Sequence, residues 1–208
     1  SPKPMTLHRL LKVIPGTPRF RHDAGNPLAE EVIVVDEASM VDAALLAKLL
    51  DAVGSHSRLI LLGDRHQLAS VEAGSILGDL CGDPRRVNVT DARTARALAP
   101  LIPVPATTIA HPLSGHIVEL KKSYRFGDSS AIGRLSRYIL AGDAAAVLSE
   151  ETKEMVDTNY APEHLERFMK GYEAYTREPD IARAYRLFHE QRVLCAVWEG
   201  VQGVYHLN

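Results

Sequence analysis

The chain has 208 residues, 46% of them hydrophobic and 24% charged, with a formal net charge of -2 at pH 7. That length and composition suit one or two cores of ordinary domain size and exclude a disordered chain. The near-neutral balance excludes a wholesale basic footprint for nucleic acid, so any such binding is confined to a local groove.

Cys81 and Cys195 are far apart and flanked by apolar residues, which leaves no Cys-x-x-Cys metal site or disulfide framework and reads as two buried free thiols. The nine histidines show no metal-binding spacing, so zinc is not expected. No apolar run approaches the roughly 18 to 20 residues of a membrane helix. Ser1 to Leu11 lacks the apolar centre of a signal peptide, and a cytoplasmic chain without membrane contact is expected.

Glu31 to Val35 is a short apolar run rich in β-branched residues, the pattern of a strand covered on both faces in a parallel sheet. Val41, Leu45, Leu49 and Val53 then share one helical face, with Ser39 or Asp42 to cap its start and Gly54 to stop it. Arg58 to Leu62 reads as a second buried strand, followed by a polar turn and a short helix over Ala73 to Leu80. Strand, helix and strand with short links make a βαβ unit.

Between Gly82 and Gly115, five prolines (Pro84, Pro100, Pro103, Pro105 and Pro112) and no long apolar period predict an irregular connection between two lobes. Ile117 to Leu120 reads as a strand opening the second lobe, and Ile132, Leu135 and Ile139 mark a helix that stops at Gly142. Two more amphipathic helices are predicted, one with Leu165, Phe168, Met169 and Tyr172, the other with Ile181, Tyr185 and Phe188. Val193 to Val197 returns to strand character. Tyr160, Tyr172, Tyr175 and Tyr185 lie at largely helical spacings and read as core rather than as a base-stacking platform.

Asp36 and Glu37 follow the first strand at its carboxyl end, where ligands bind in open α/β sheets. In P-loop ATPases an acid placed there holds Mg²⁺ through water and its neighbour polarises the water that attacks the γ-phosphate. Asp36 takes the metal role and Glu37 the base role, although a solvated turn with capping value accounts equally well for Asp-Glu after a strand taken alone. The second strand repeats the arrangement, with Asp64 at its end and Gln67 three residues on. An amide there can hydrogen-bond an anion or a water without adding charge, which suits a phosphate sensor. Beyond the third strand come Tyr124 and Arg125. A guanidinium reaching across a cleft can neutralise charge developing on the γ-phosphate, so Arg125 is the candidate finger. Tyr124 offers a ring for an adenine to stack on, while packing is the commoner use of such a ring.

The runs Val34 to Met40 (Val-Val-Asp-Glu-Ala-Ser-Met), Leu62 to Gly74 (Leu-Gly-Asp-Arg-His-Gln-Leu-Ala-Ser-Val-Glu-Ala-Gly) and Lys122 to Phe126 (Lys-Ser-Tyr-Arg-Phe) closely resemble motifs II, III and IV of superfamily 1 helicases, and most closely those of the RecD type. Thr6 to Leu11, Ala24 to Leu28 and Leu194 to Gly200 are similar to flanking stretches of the same type. The resemblance is strong over residues 6–80 and 117–142 and patchy elsewhere.

It implies an α/β, RecA-like parallel-sheet P-loop ATPase fold. Residues 1–114 would be a partial first motor domain with its irregular connection over 82–114, and residues 115–208 part of a second RecA-like lobe. It further implies a 5′ to 3′ helicase of the exodeoxyribonuclease V kind, acting on single- and double-stranded DNA in break repair and recombination. ATP and Mg²⁺ would be its cofactors, and RecB-type and RecC-type subunits its partners in a heterotrimer. By family position, His8, Arg9, Ser70 and Glu72 are candidates for the DNA-binding edge; His8 reads equally as structural.

The chain departs from that pattern in one respect: it contains no Gly-Lys dipeptide, and so no loop ending in Gly-Lys-Ser/Thr to cradle phosphates. It therefore reads as a central fragment, inactive as an ATPase by itself. The alternative is a non-enzymatic RecA-like module that docks partners or binds single-stranded DNA.

Overall fold

The computed structural model describes residues 4–67, 76–108, 112–127, 129–156, 158, 162–190 and 192–207. It divides into two compact units, Ser1–Arg125 and Phe126–Asn208.

In the first unit, β1 (Val32–Val35) and β2 (Arg58–Leu61) pair in parallel, with Val32 opposite Arg58 and Val35 opposite Leu61. The helix α2 (Ala43–Ala52) crosses between them, as the apolar spacing predicts. Its start is fixed by Asp42, whose carboxylate accepts the Leu45 amide at 2.8 Å; of the two candidate caps, Ser39 is not used. Helices α1 (Leu7–Leu11) and α3 (Ile76–Cys81) complete the packing. One core cluster joins Leu11, Leu28, Ile33, Val35, Ala38, Leu46, Leu49, Ala52 and Leu77.

That core lies against one face of the sheet. Ile33 and Val35 are buried, whereas Val32 and Val34 are 54% and 55% exposed, and in β2 Ile60 is exposed while Leu59 and Leu61 are half-buried. The expectation of strands covered on both faces is thus corrected. The apolar run was continuous, but the burial follows the two-residue period of the strand.

The proline-rich stretch is more ordered than its composition suggests. Asp91 caps a further helix, α4 (Ala92–Leu98), by accepting the amides of Arg93 and Thr94. On either side run extended pieces bridged in parallel, Val87 to Ile117 and Thr90 to Ala106. The strand expected over Ile117 to Leu120 is reduced to a single bridge, Val87 to Ile117, among the described residues. Residues 115–125, assigned by sequence to the second lobe, cluster with the first unit.

Among its described residues the second unit is helical: α5 (Ala131–Ala141), α6 (Ala144–Val147), α7 (Pro162–Thr176), α8 (Ile181–Glu190) and α9 (Val204–Leu207). Ser130 caps α5 through the Gly133 amide, and Gly142, at φ 68°, ends it in the left-handed conformation that glycine adopts without steric cost. Tyr175 meets Phe188 edge-on at 5.0 Å between α7 and α8. Tyr185, expected in the core, is 65% exposed, because α8 turns that face to solvent. Residues 193–197 form no strand; Val197 and Trp198 instead accept the amides of Val204 and Tyr205, where α9 begins. Cys81 and Cys195 are free, as expected, but half-buried rather than buried.

Candidate nucleotide and DNA site

Because the register sets Val35 beside Leu61, β1 and β2 end level with each other. The ladder continues one step past both strands. The Leu62 amide donates to the Val35 carbonyl at 2.8 Å, and the Ala38 amide donates to the Leu62 carbonyl at 2.8 Å. The Asp36-Glu37 turn and the Gly63-Asp64 turn are thereby joined through backbone atoms at the carboxyl edge of the sheet.

Each turn is also fixed from within. The Glu37 amide donates to Asp36 Oδ1 at 2.9 Å, and the His66 amide donates to Asp64 Oδ1 at 2.9 Å. The Gln67 amide closes its own turn on the Asp64 carbonyl at 3.1 Å. Asp36, Glu37, Asp64 and Gln67 are all exposed, so the two turns present two carboxylates on one side and a carboxylate with an amide on the other.

Glu37 sits at φ 53°, ψ 40°, a left-handed conformation that is strained for a residue with a Cβ and that clusters at functional positions. Just after it, the 3₁₀ turn Ala38–Met40 buries Ser39, whose hydroxyl has no hydrogen-bond partner among the described residues. Gly63 packs directly on this turn. A Cβ there would stand 3.0 Å from the Ser39 nitrogen, 3.2 Å from the Ala38 nitrogen and 2.6 Å from a Leu77 methyl. Only glycine lets the second turn approach the first so closely.

Among the described residues no group of three or more His, Cys, Asp or Glu side chains is arranged to hold a metal ion. The exposed Asp36 carboxylate is of the kind a hard cation takes, since magnesium keeps most of its waters and uses one or two carboxylates plus phosphate oxygens rather than a cage of protein ligands.

Arg125 and Tyr124 are exposed near the end of the first unit. Tyr124 is 86% exposed, and the Lys122 ammonium lies 4.6 Å from its ring centre, occupying one face. Among the described residues no hydrogen bond or ion pair joins Arg125 to Asp36, Glu37 or Gln67. The structure therefore joins the two turns directly, with no such bond reaching Arg125 among the described residues.

His8 and Arg9 are exposed on α1, whose opposite face sends Leu11 into the core; Thr6 accepts the Arg9 amide as its cap. His8 also stands 5.9 Å from Phe20, so part of its role is packing. Ser70 and Glu72 lie outside the described residues.

One residue of this region escaped the sequence reading. Arg65, between Asp64 and Gln67, makes an ion pair of 2.9 Å with Glu119 and donates to the Cys81 carbonyl at 3.2 Å. A charged residue between Asp64 and Gln67 was its one signal, and nothing in the sequence pointed to Glu119 as its partner.

Residues 2–73 match the AAA domain family, and the parallel strands with their helices are those of an α/β P-loop ATPase-like fold. Over 215 aligned residues the chain is 39% identical to the RecBCD enzyme subunit RecD of Mycobacterium tuberculosis strain CDC 1551, an alignment that covers 98% of the chain and 32% of that protein. It is 40% identical over 147 residues to the RecBCD enzyme subunit RecD of Haemophilus influenzae, which covers 68% of the chain and 22% of the relative. It is also 37% identical over 97 residues to the ATP-dependent RecD2 DNA helicase of Deinococcus radiodurans, covering 47% of the chain and 13% of that protein. The chain spans about a third of the length of the curated relatives that match nearly all of it.

Proposed function

We propose, for a chain that belongs to the RecD type of helicase, that it supplies the acidic and sensing part of an ATP-driven DNA motor. The observation that carries this reading is the backbone stitch between the Asp36-Glu37 turn and the Gly63-Asp64 turn, which holds three acids, with Gln67 just beyond the third, on one edge of a parallel sheet. Through water, Asp36 would hold Mg²⁺, which when bound neutralises charge on the phosphate oxygens, with Asp64 on the nucleotide side of the same edge. Glu37 accepts the proton of the attacking water, from a backbone held in the left-handed conformation. Gln67 bonds the terminal phosphate or the water and reports on which is present. Arg125 neutralises charge that develops during transfer, and Tyr124 offers its free ring face to the base.

On the DNA side, His8 and Arg9 contact the strand from the exposed face of α1, together with Ser70 and Glu72 by family position. The relatives named as RecBCD subunits support an assembly with RecB-type and RecC-type partners, and break repair and recombination in the cytoplasm complete the proposal. No helix among the described residues is long and apolar enough to cross a membrane. The division into a first motor domain and part of a second belongs to the same proposal. So does the inactivity of the 208-residue chain alone, which contains no Gly-Lys pair to cradle phosphates.

Phosphate release measured on the full-length natural protein tests the reading. Glu37→Gln is expected to reduce DNA-stimulated hydrolysis by about 100-fold or more while ATP still binds. Hydrolysis that survives the substitution overturns the base assignment. Single-stranded DNA binding with no turnover in the unaltered full-length protein would favour the docking or strand-binding module instead.

A further inference from the structure

The Arg65 guanidinium makes contacts through all three of its nitrogens. Nε donates to the ring of its neighbour His66 at 3.1 Å, Nη1 to the Cys81 carbonyl at the end of α3 at 3.2 Å, and Nη2 pairs with Glu119 Oε1 at 2.9 Å. The loop that carries Asp64 and Gln67 is thus tied to a helix end and to a segment more than fifty residues further along the chain.

Glu119 is itself held from the other side. The Asn88 side-chain amide donates to the Glu119 carbonyl at 3.0 Å and accepts the Glu119 amide at 2.9 Å. Asn88 reaches this geometry at φ 54°, a left-handed conformation that asparagine tolerates better than most residues. Next to it, the Asn88 amide bonds the Ile117 carbonyl at 3.0 Å. Glu119 is therefore clamped through its backbone by Asn88 and through its carboxylate by Arg65.

From Glu119 the chain runs to Tyr124 and Arg125 without any regular element between. Six residues reach at most about 20 Å, so an anchor at Glu119 bounds where Arg125 can stand. The side chains of Arg65 and Glu119 are 30% and 37% exposed, and a pair that open to solvent adds little to stability. Its effect lies in geometry.

We infer that Arg65 is a positioning residue that fastens the Asp64–Gln67 sensor loop to the Glu119–Arg125 segment, so that movement at one is felt at the other without contact between Gln67 and Arg125. This rests on the sensor and finger roles proposed above. The experiment therefore has one arm that is independent of them.

In that arm, amide hydrogen exchange is followed in the 208-residue chain itself. Arg65→Ala is expected to speed exchange about 10-fold at His66, Gln67 and Glu119 together, with Val35 and Leu61 unchanged. Faster exchange confined to His66 and Gln67, with Glu119 unaltered, overturns the inference. In the full-length natural protein, Arg65→Ala is expected to lower DNA-stimulated kcat for ATP about 10-fold with KM within about 2-fold. The paired swap Arg65→Glu with Glu119→Arg should recover at least half of that loss. Arg65→Lys should recover little, because an ammonium on a flexible stem does not reproduce the planar fork. Full recovery by lysine, or none by the swap, overturns the inference and also covers the case in which the alanine variant unfolds. If the unaltered full-length protein hydrolyses no ATP, the proposed function fails while the exchange arm still decides the fastening.

Discussion

Gly63 and Ser39 are packed so tightly that a Cβ on the first would lie 3.0 Å from the backbone nitrogen of the second. Backbone cannot yield as a flexible side chain can. Gly63→Ala is therefore expected to push the Asp64 turn away from the Asp36 turn and to cost about 1–3 kcal/mol, as overpacking commonly does. Thermal unfolding of the 208-residue chain measures it, and an unchanged midpoint would contradict the packing described.

Ser39 invites the opposite result. Its hydroxyl is buried at 2% exposure and no described atom bonds to it. A buried hydroxyl without a partner costs free energy that a methyl group does not. Ser39→Ala should leave the unfolding free energy unchanged or raise it by up to about 1 kcal/mol. A loss above that range in a denaturant titration would show that the hydroxyl is bonded in solution.

Glu37 combines the proposed base role and backbone strain at one position. Glycine there relieves the left-handed penalty, so Glu37→Gly is expected to gain roughly 0.5–1 kcal/mol of stability, whereas Glu37→Ala, which keeps a Cβ, gains none. In the full-length protein both should lose ATP hydrolysis. Paired melting curves and phosphate release separate the two effects, and a glycine variant less stable than the alanine variant would remove the strain argument.

Acid should weaken the cap of α4. The Thr94 hydroxyl, 2.6 Å from Asp91 Oδ2, and then the amides of Thr94 and Arg93 hold the Asp91 carboxyl below its ordinary value. A carboxylate whose folded value is depressed stabilises the fold above its unfolded value of about 3.9 and loses that contribution as the pH falls below it. The amides of α4 are expected to exchange faster relative to those of α2 as the pH falls from about 4 through the depressed folded value of Asp91. Asp91→Asn, which caps without a charge, should flatten the dependence.

Much of the first unit was legible because its signals are local. A β-branched run marks each strand, four-residue apolar spacing marks α2, and the Asp36 and Asp64 turns follow directly from where those strands end. Gly142 likewise ended α5 where a left-handed residue was needed. The rest depended on partners distant in sequence. Ile117 to Leu120 and Val193 to Val197 have strand composition, but a strand requires a neighbour to receive its amides, and composition does not supply one. Helix α4 went unread because the flanking prolines outweighed the Asp91 cap that starts it. The bareness of Val32 and Val34 was hidden for the same reason: an apolar residue records its own character, not what stands opposite. Arg65 was the largest omission at the site, since its meaning lies in Glu119 and Asn88.

The level ending of β1 and β2 has a consequence for how this chain tolerates changes in length. One residue inserted within β1 would rotate Ile33 and Val35 out of the core, bring Val32 and Val34 in, and shift Asp36 relative to Leu62. One residue inserted between Gly54 and Ser57, after α2 has ended and before β2 begins, would disturb neither the pairing nor the acids. A tag or reporter therefore belongs in that turn, at the edge opposite the chemistry, and the strands themselves serve as a ruler that cannot be lengthened.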